Sequence, residues 1–518
     1  MPVAKSAVDD FFKRKLKNSD KARDLAEEEL AGWIDALPVP PRFELKPYRH
    51  QLVCFLLGVK RASYFFMLDM GLGKSAITIN IFRWLQDNDE AKRMLVLVPN
   101  ISNIEAWDEE LGIHAPELTS SLFDQGTRKV KEKMILEGGQ VAVVTYMGWL
   151  RLISKTVNGK LKIDPKQASL LEKNFDMVVF DESTALKNHR SLTFKACRRL
   201  IKTTPFRYCL TGTPFDKDPQ DLWSQFFVLD SGETLGPTLG LYRAAFFKEK
   251  DDYWSGGKTY TFDKKLDKEL NRVIKHSSIR YTEEECLDLP ESIGGLLSPA
   301  GPMSRQVLFD PETLQYYYSL IDEVRESEGN LKVLANVYTR MRQLTAGFLP
   351  VKDDEERFDI IFDKNPKLDA LMDLIKEIPP NCKIVVYNEF KMSGELICAR
   401  LKKEKFKHAR VYSGTKDKKA VLTQFKQDPK TRVLVGSRSI AFGLNLQIAN
   451  YIIFFESPDS TIIRKQVERR IRRSGQTKRT HFYDLVIKGS VDEKILRFMI
   501  QGKDLFDALV EGEFHHLD

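Results

Sequence analysis

The chain has 518 residues, more than one hydrophobic core organises, and a prior of about 100 to 200 residues per domain predicts roughly three units. Hydrophobic residues make up 42% and charged residues 30%, which excludes global disorder and supplies enough apolar surface to fold without covalent staples. The 81 basic and 73 acidic side chains leave a net charge of +8, a mild excess that is compatible with a polyanionic partner but does not require one.

Residues 1–42 are rich in Lys, Asp, Glu and Ala, read as a charged helical appendage, and end in Pro38, Pro40 and Pro41, a stiff stop. From 43 to 230 short β-branched runs alternate with longer helical patterns. MLVLVP from Met94, VAVVTY from Val141, MVVF from Met177 and RYCLT from Arg207 are the predicted strands of a parallel sheet. Residues 231–363 read as a mainly helical, charged insert and linker. The strand rhythm returns over 364–518 with KIVVY, ARVY, TRVLV, YIIFF and HFYDLV, followed by a short C-terminal helix. The expected fold is α/β, two parallel-sheet lobes with a helical insert between them. No stretch approaches the ~18 apolar residues of a membrane span, and the start, MPVAKSAVDDFFKRK, lacks the apolar core of a secretory signal. A soluble, cytoplasmic protein without a membrane partner is expected.

In the first lobe, FFMLDMGLGKS passes from an apolar strand through a glycine turn into a helical pattern. Gly71 and Gly73 let backbone N–H groups point inward, the helix offers its positive end, and Lys74 is within reach of β and γ phosphates. The turn from Met70 through Gly71, Leu72, Gly73 and Lys74 to Ser75 is therefore read as a nucleoside triphosphate cradle, with Ser75 placed to ligate Mg²⁺. About one hundred residues on, VVFDEST delivers Asp181 and Glu182 at the carboxyl end of a strand, where parallel sheets bind ligands. Asp181 is expected in the Mg²⁺ shell and Glu182 as the base that activates water for attack on the γ phosphate. The six cysteines form no C-x-x-C pair and are read as buried apolar fillers, and the dispersed histidines suggest no structural metal.

These residues resemble the superfamily-two helicase motor, and more narrowly its Swi/Snf-type branch of ATP-driven duplex-DNA translocases, in a compact form similar to bacterial or virus-encoded members. Leu45-Lys46-Pro47-Tyr48 followed by Gln51 resembles the adenine-reading entry motif, and LVLVPNISNIEAWDEEL resembles motif Ia with Pro99, Trp107 and Glu110. DESTALKN is similar to motif II, LTGTP from Leu210 to motif III, KIVVYNEF to motif IV, and SRSIAFGLNLQ to motif V. QVERRIRRSGQ looks like motif VI, with Gln466, Arg470, Arg473, Gly475 and Gln476 in register.

The resemblance implies two RecA-like lobes with ATP between them, and Arg470 and Arg473 approaching the γ phosphate. It assigns Thr211, Thr213, Gly443 and Gln466 to coupling between nucleotide and strand grip, and Thr145, Lys187, Ser437 and Arg438 to nucleic-acid contact. It implies ATP and Mg²⁺ as cofactors and sequence-independent binding of duplex or branched DNA, in replication, recombination or repair. Some members of the basic run from Arg464 to Arg479 are expected to face phosphate, whether of ATP or DNA. Alternatives are a strand-separating DNA or RNA helicase, or the motor of a restriction or defence system. The tyrosines at 316–318 and Phe226-Phe227 read as core.

Overall fold

A computed structural model describes residues 27–123, 126–212, 214–215, 218–252, 257–286, 289–326, 330–353, 356–412, 414–415, 417–441, 444–473 and 475–502. The chain divides into two compact units, Met1–Leu287 and Asp288–Asp518.

The first unit is built on a seven-stranded sheet. Its strands are β1 (Ser63–Leu68), β2 (Met94–Val98), β3 (Ser120–Leu122), β4 (Val141–Thr145), β7 (Met177–Asp181), β8 (Phe206–Leu210) and β11 (Ser278–Tyr281). Two hairpins, β5 (Ser154–Val157) with β6 (Lys160–Ile163) and β9 (Phe247–Asp252) with β10 (Gly257–Phe262), lie outside it. The order is β11-β1-β8-β7-β2-β4-β3, and every pairing is parallel. Parallel strands are covered on both faces and so read as continuous apolar runs. Accordingly β2 and β7 are buried along their whole length between two separate hydrophobic clusters. The helix Glu27–Asp35 belongs to this unit: Leu30 is buried and Trp33 lies under the ammonium of Lys60.

The second unit has strands β12 (Ser292–Ile293), β13 (Ser304–Val307), β16 (Ile384–Tyr387), β17 (His408–Val411), β18 (Val433–Gly436), β19 (Tyr451–Phe454) and β20 (Thr480–Ile487). Their order is β12-β20-β19-β16-β18-β17, with β13 also on β20, again all parallel. Both lobes are thus parallel α/β sheets, as the strand rhythm predicts.

The stretch 231–363 differs from the helical insert expected. It contains the β9–β10 hairpin and the antiparallel pair β14 (Phe348–Asp353) and β15 (Glu356–Ile361), and it supplies β11 to one sheet and β12 and β13 to the other. Strands of two to four residues give too little alternation to be read as strands; their hydrogen bonds come from a preformed sheet edge. Helices Pro311–Glu326 and Leu331–Thr345 pack on each other and on Val491–Ile500 through Tyr317, Leu320, Leu334, Tyr338 and Ile495. Of the tyrosine triplet only Tyr317 is core, its hydroxyl accepting from Val491 N at 2.7 Å, while Tyr316 and Tyr318 are exposed.

Candidate active site

Strand β1 ends at Leu68, and the chain turns through Gly71 (φ 85°) and Gly73 (φ 77°) into the helix Lys74–Asp87. Both glycines occupy the left-handed region that a side chain disfavours. A Cβ on Gly73 would also clash with Gln51 Nε2. No side chain caps this helix, so its first N–H groups face the turn. Lys74 Nζ donates to the carbonyls of Leu68 at 2.8 Å and Asp69 at 3.3 Å.

The turn is held from the helix Arg49–Lys60. Gln51 caps that helix, its Oε1 accepting from Tyr48 N at 3.0 Å, while its Nε2 donates to Leu72 O at 3.3 Å. His50 donates to the same carbonyl at 3.0 Å, and burial pushes its pKa down, which favours the neutral ring with the proton on Nε2. His50 is thus a support of the turn that sequence reading passes over, because its partner lies 22 residues away.

Two strands along the same sheet edge, β7 ends in Asp181 and continues into Glu182. Asp181 is buried and raised to about 6, chiefly by desolvation and then by the neighbouring Glu182 charge; Lys74 acts in the opposite direction. Its Oδ2 accepts from Trp107 Nε1 at 2.9 Å and its Oδ1 from Glu182 N at 3.0 Å. Tyr146 donates its hydroxyl to the Asp181 carbonyl at 2.9 Å. Glu182 has φ 47°, a left-handed conformation costing of order 1 to 3 kcal/mol in a residue with a side chain. Its Oε2 accepts from the buried Thr211 hydroxyl at 3.2 Å. Ser183 donates to Gln225 Oε1 at 2.7 Å, and Gln225 in turn donates to the Pro214 carbonyl, so one buried glutamine joins the segments after β7 and β8.

Lys74, Asp181, Glu182 and Thr211 therefore converge on one carboxyl edge, with Ser75 in the first turn of the adjoining helix. The donor set suits a hard cation with a triphosphate: a hydroxyl and a desolvated carboxylate beside a glycine cradle and an ammonium. Trp107, a motif Ia residue by resemblance, is joined to this edge by a bond across 74 residues that the sequence does not reveal, and Gln225, joined across 42, carries no sequence signal.

In the second unit, Arg470 is buried and donates Nε to the Ala441 carbonyl at 3.0 Å. Gln476 donates to the carbonyls of Gln447, Ala449 and Ile471, pinning the same loop, while Arg473 and Gln466 are half-buried. Arg438 pairs with Glu389 at 2.7 Å and with Asp459, and Ser437 lies beside it with its carbonyl accepting from Ile440 N. Thr213 and Gly443 lie outside the described residues. In the first unit Thr145 caps the helix Tyr146–Leu152, accepting from Gly148 N at 3.0 Å, and Lys187 is exposed.

Arg464, a member of the basic run, turns inward instead of toward a phosphate. Its guanidinium is fully buried, bonded to Glu468 at 2.7 Å and Asp484 at 2.8 Å, and it lies over the Phe454 ring at 3.4 Å. Burial would lower its pKa, but Asp484 and Glu468 outweigh that and raise it. Glu468 also accepts from the N–H groups of Leu296 and Leu297. A run of basic letters does not reveal which member turns inward.

Two parallel α/β units, the first presenting a glycine turn and an acidic pair on one sheet edge, define the class of helicase-type ATPases. The family models agree: the SNF2-related domain matches residues 48–291 and the helicase conserved C-terminal domain matches residues 366–479, together more than half of the chain. The chain belongs to the SNF2-related family of ATP-dependent helicases, an ATPase family. It is 23% identical over 497 residues to the ATP-dependent helicase/translocase YwqA of Bacillus subtilis, covering 92% of this chain and 50% of that protein. It is 24% identical over 497 residues to the DNA excision repair protein ERCC-6-like of Mus musculus, covering 83% and 38%. This chain thus spans half or less of those relatives. A solved Sulfolobus solfataricus SWI2/SNF2 ATPase core in complex with dsDNA aligns over 92% of this chain and 96% of its own, at 23% identity and a TM-score of 0.42.

Proposed function

We propose that the chain is an ATP-driven motor that tracks along the backbone of duplex or branched DNA without reading its sequence, in replication, recombination or repair. The observation that carries the reading is the single sheet edge on which Lys74, Asp181, Glu182 and Thr211 converge. In this reading Lys74 leaves the carbonyls of Leu68 and Asp69 for the β and γ phosphates, and the N–H groups from Met70 to Ser75 cradle them. Ser75 and Asp181 would hold Mg²⁺, which when bound neutralises phosphate charge. Glu182, aimed by its backbone and by Thr211, takes a proton from the attacking water.

Gln51 reads the adenine, and Arg470 and Arg473 supply positive charge to the γ phosphate in the transition state. Thr145, Lys187, Ser437 and Arg438 contact the nucleic-acid backbone. Thr211, Thr213, Gly443 and Gln466 pass nucleotide state to that grip. The names of relatives such as YwqA and the ERCC-6-like protein support a helicase or translocase that works on DNA. Blunt duplex, tailed duplex, four-way DNA and RNA compared as stimulators of hydrolysis test the reading. Strict dependence on a single-stranded tail would favour strand separation, and stimulation by RNA alone would refute a DNA motor.

A further inference from the structure

Beyond the motif residues, the first unit carries a lysine face that nothing in the nucleotide site uses. Strands β5 and β6 form a hairpin whose turn, Asn158 (φ 51°) and Gly159 (φ 71°), has two left-handed residues, the geometry of a tight type I′ turn. Facing residues share one side of an antiparallel pair. Thr156 opposes Leu161 and Ser154 opposes Ile163, and Leu161 and Ile163 pack on the core. On the outer side Lys155 lies directly opposite Lys162, and Lys160 follows two positions along beside Val157; all three lysines are exposed.

Like charges directly opposite one another destabilise a strand pair. A hairpin facing only water is better served by a lysine opposite a glutamate. Here Asp164 reaches Lys155 at 3.1 Å, and no acidic partner of Lys160 or Lys162 is found among the described residues. The hairpin base is rigidly tied: Arg128 donates to the carbonyls of Ser154 at 2.8 Å and Leu152 at 2.9 Å. The hairpin begins at Ser154, just past the helix Tyr146–Leu152 that Thr145 caps, a helix of seven residues or about 10 Å. Its face, four residues or about 13 Å long, runs past several of the backbone charges that a duplex carries about every 1.7 Å of its axis.

We infer that Lys155, Lys160 and Lys162 form an accessory docking surface for the phosphate backbone of duplex DNA. The inference rests on the DNA-motor reading, and the experiment separates the two. Blunt duplex binding is measured by fluorescence anisotropy from 50 to 200 mM salt for the full chain and for the triple variant Lys155→Gln, Lys160→Gln, Lys162→Gln. Hydrolysis is measured with and without duplex.

Each lost phosphate contact reduces the slope of log K against log salt by about 0.9. The triple variant should therefore lose about 2 to 3 from the slope, and the duplex concentration for half-maximal stimulation should rise about tenfold or more at low salt. Hydrolysis without DNA should not change, and the melting temperature should hold or rise as the opposed charges are removed. A second variant, Lys162→Glu, places opposite charges across the hairpin; its melting temperature should hold or rise while duplex affinity falls. A slope equal to that of the parent, in a chain whose hydrolysis is stimulated by duplex, overturns the hairpin surface alone. A parent that neither binds duplex nor is stimulated by it overturns the motor reading and the surface with it.

Discussion

Replacing Trp107 by phenylalanine keeps most of the buried ring but removes the indole N–H that Asp181 Oδ2 accepts at 2.9 Å. The cost depends on the protonation state of the carboxyl. Above pH 8 the group is a buried carboxylate, and losing a hydrogen bond to a charged acceptor costs about 1.5 to 3 kcal/mol. At pH 5, below the value of about 6 to which burial and Glu182 raise Asp181, the group is largely neutral, and the lost bond costs about 0.5 to 1.5 kcal/mol. The sign follows from linkage. Trp107 holds the Asp181 pKa down, so its removal raises that value further, and a carboxyl whose folded pKa lies above its unfolded one loses stability as pH rises through the folded value. Lost ring packing adds equally at both pH values and cancels in the difference. Urea unfolding of parent and variant without nucleotide or metal should therefore show a destabilisation at pH 8.5 about 1 to 1.5 kcal/mol larger than at pH 5. Equal destabilisation at both would refute the role given to the indole, leaving Trp107 as packing alone.

Lys74→Ala should abolish ATP turnover, whereas Glu182→Gln should lose turnover yet retain binding of a fluorescent ATP analogue. Arg473→Ala should slow hydrolysis by about 10³-fold or more with nucleotide affinity little changed, as for other arginines that act on the transferring phosphoryl group; steady-state rates and equilibrium titration check both parts. Arg464→Met should destabilise the fold by about 3 to 5 kcal/mol, because Glu468 and Asp484 would remain buried without their cation, and urea unfolding reads this directly. If Arg464 instead gripped phosphate, the variant would unfold normally and lose DNA affinity.

The parts of the molecule legible in sequence are those where the physics is local. Strands β2, β16 and β19, and β4 and β7 up to their closing Thr145 and Asp181, are buried on both faces and so spell uninterrupted apolar runs. Gly71, Gly73 and Lys74 sit within one turn, and Asp181 and Glu182 are neighbours, so the chemistry could be read from adjacent letters. What escaped reading is carried by distant partners. Trp107 reaches Asp181 across 74 residues, and Gln225 bridges Ser183 and Pro214 from within an apolar helix. Strand β11 is only SIRY until β1 offers it a ladder, and the inward turn of Arg464 depends on Asp484, twenty residues on in β20. In each case one partner's letters hold no trace of the other.

The central claim is that hydrolysis at the Gly71–Ser75 turn is driven by contact with a DNA backbone. Its most direct measurement is the steady-state rate of ATP hydrolysis by the full chain as blunt duplex DNA is titrated at low salt. The account predicts a rate that climbs to saturation with duplex of any sequence, falls back as salt is raised, and is absent in Lys74→Ala. A rate indifferent to duplex, or one that survives loss of Lys74, would contradict it.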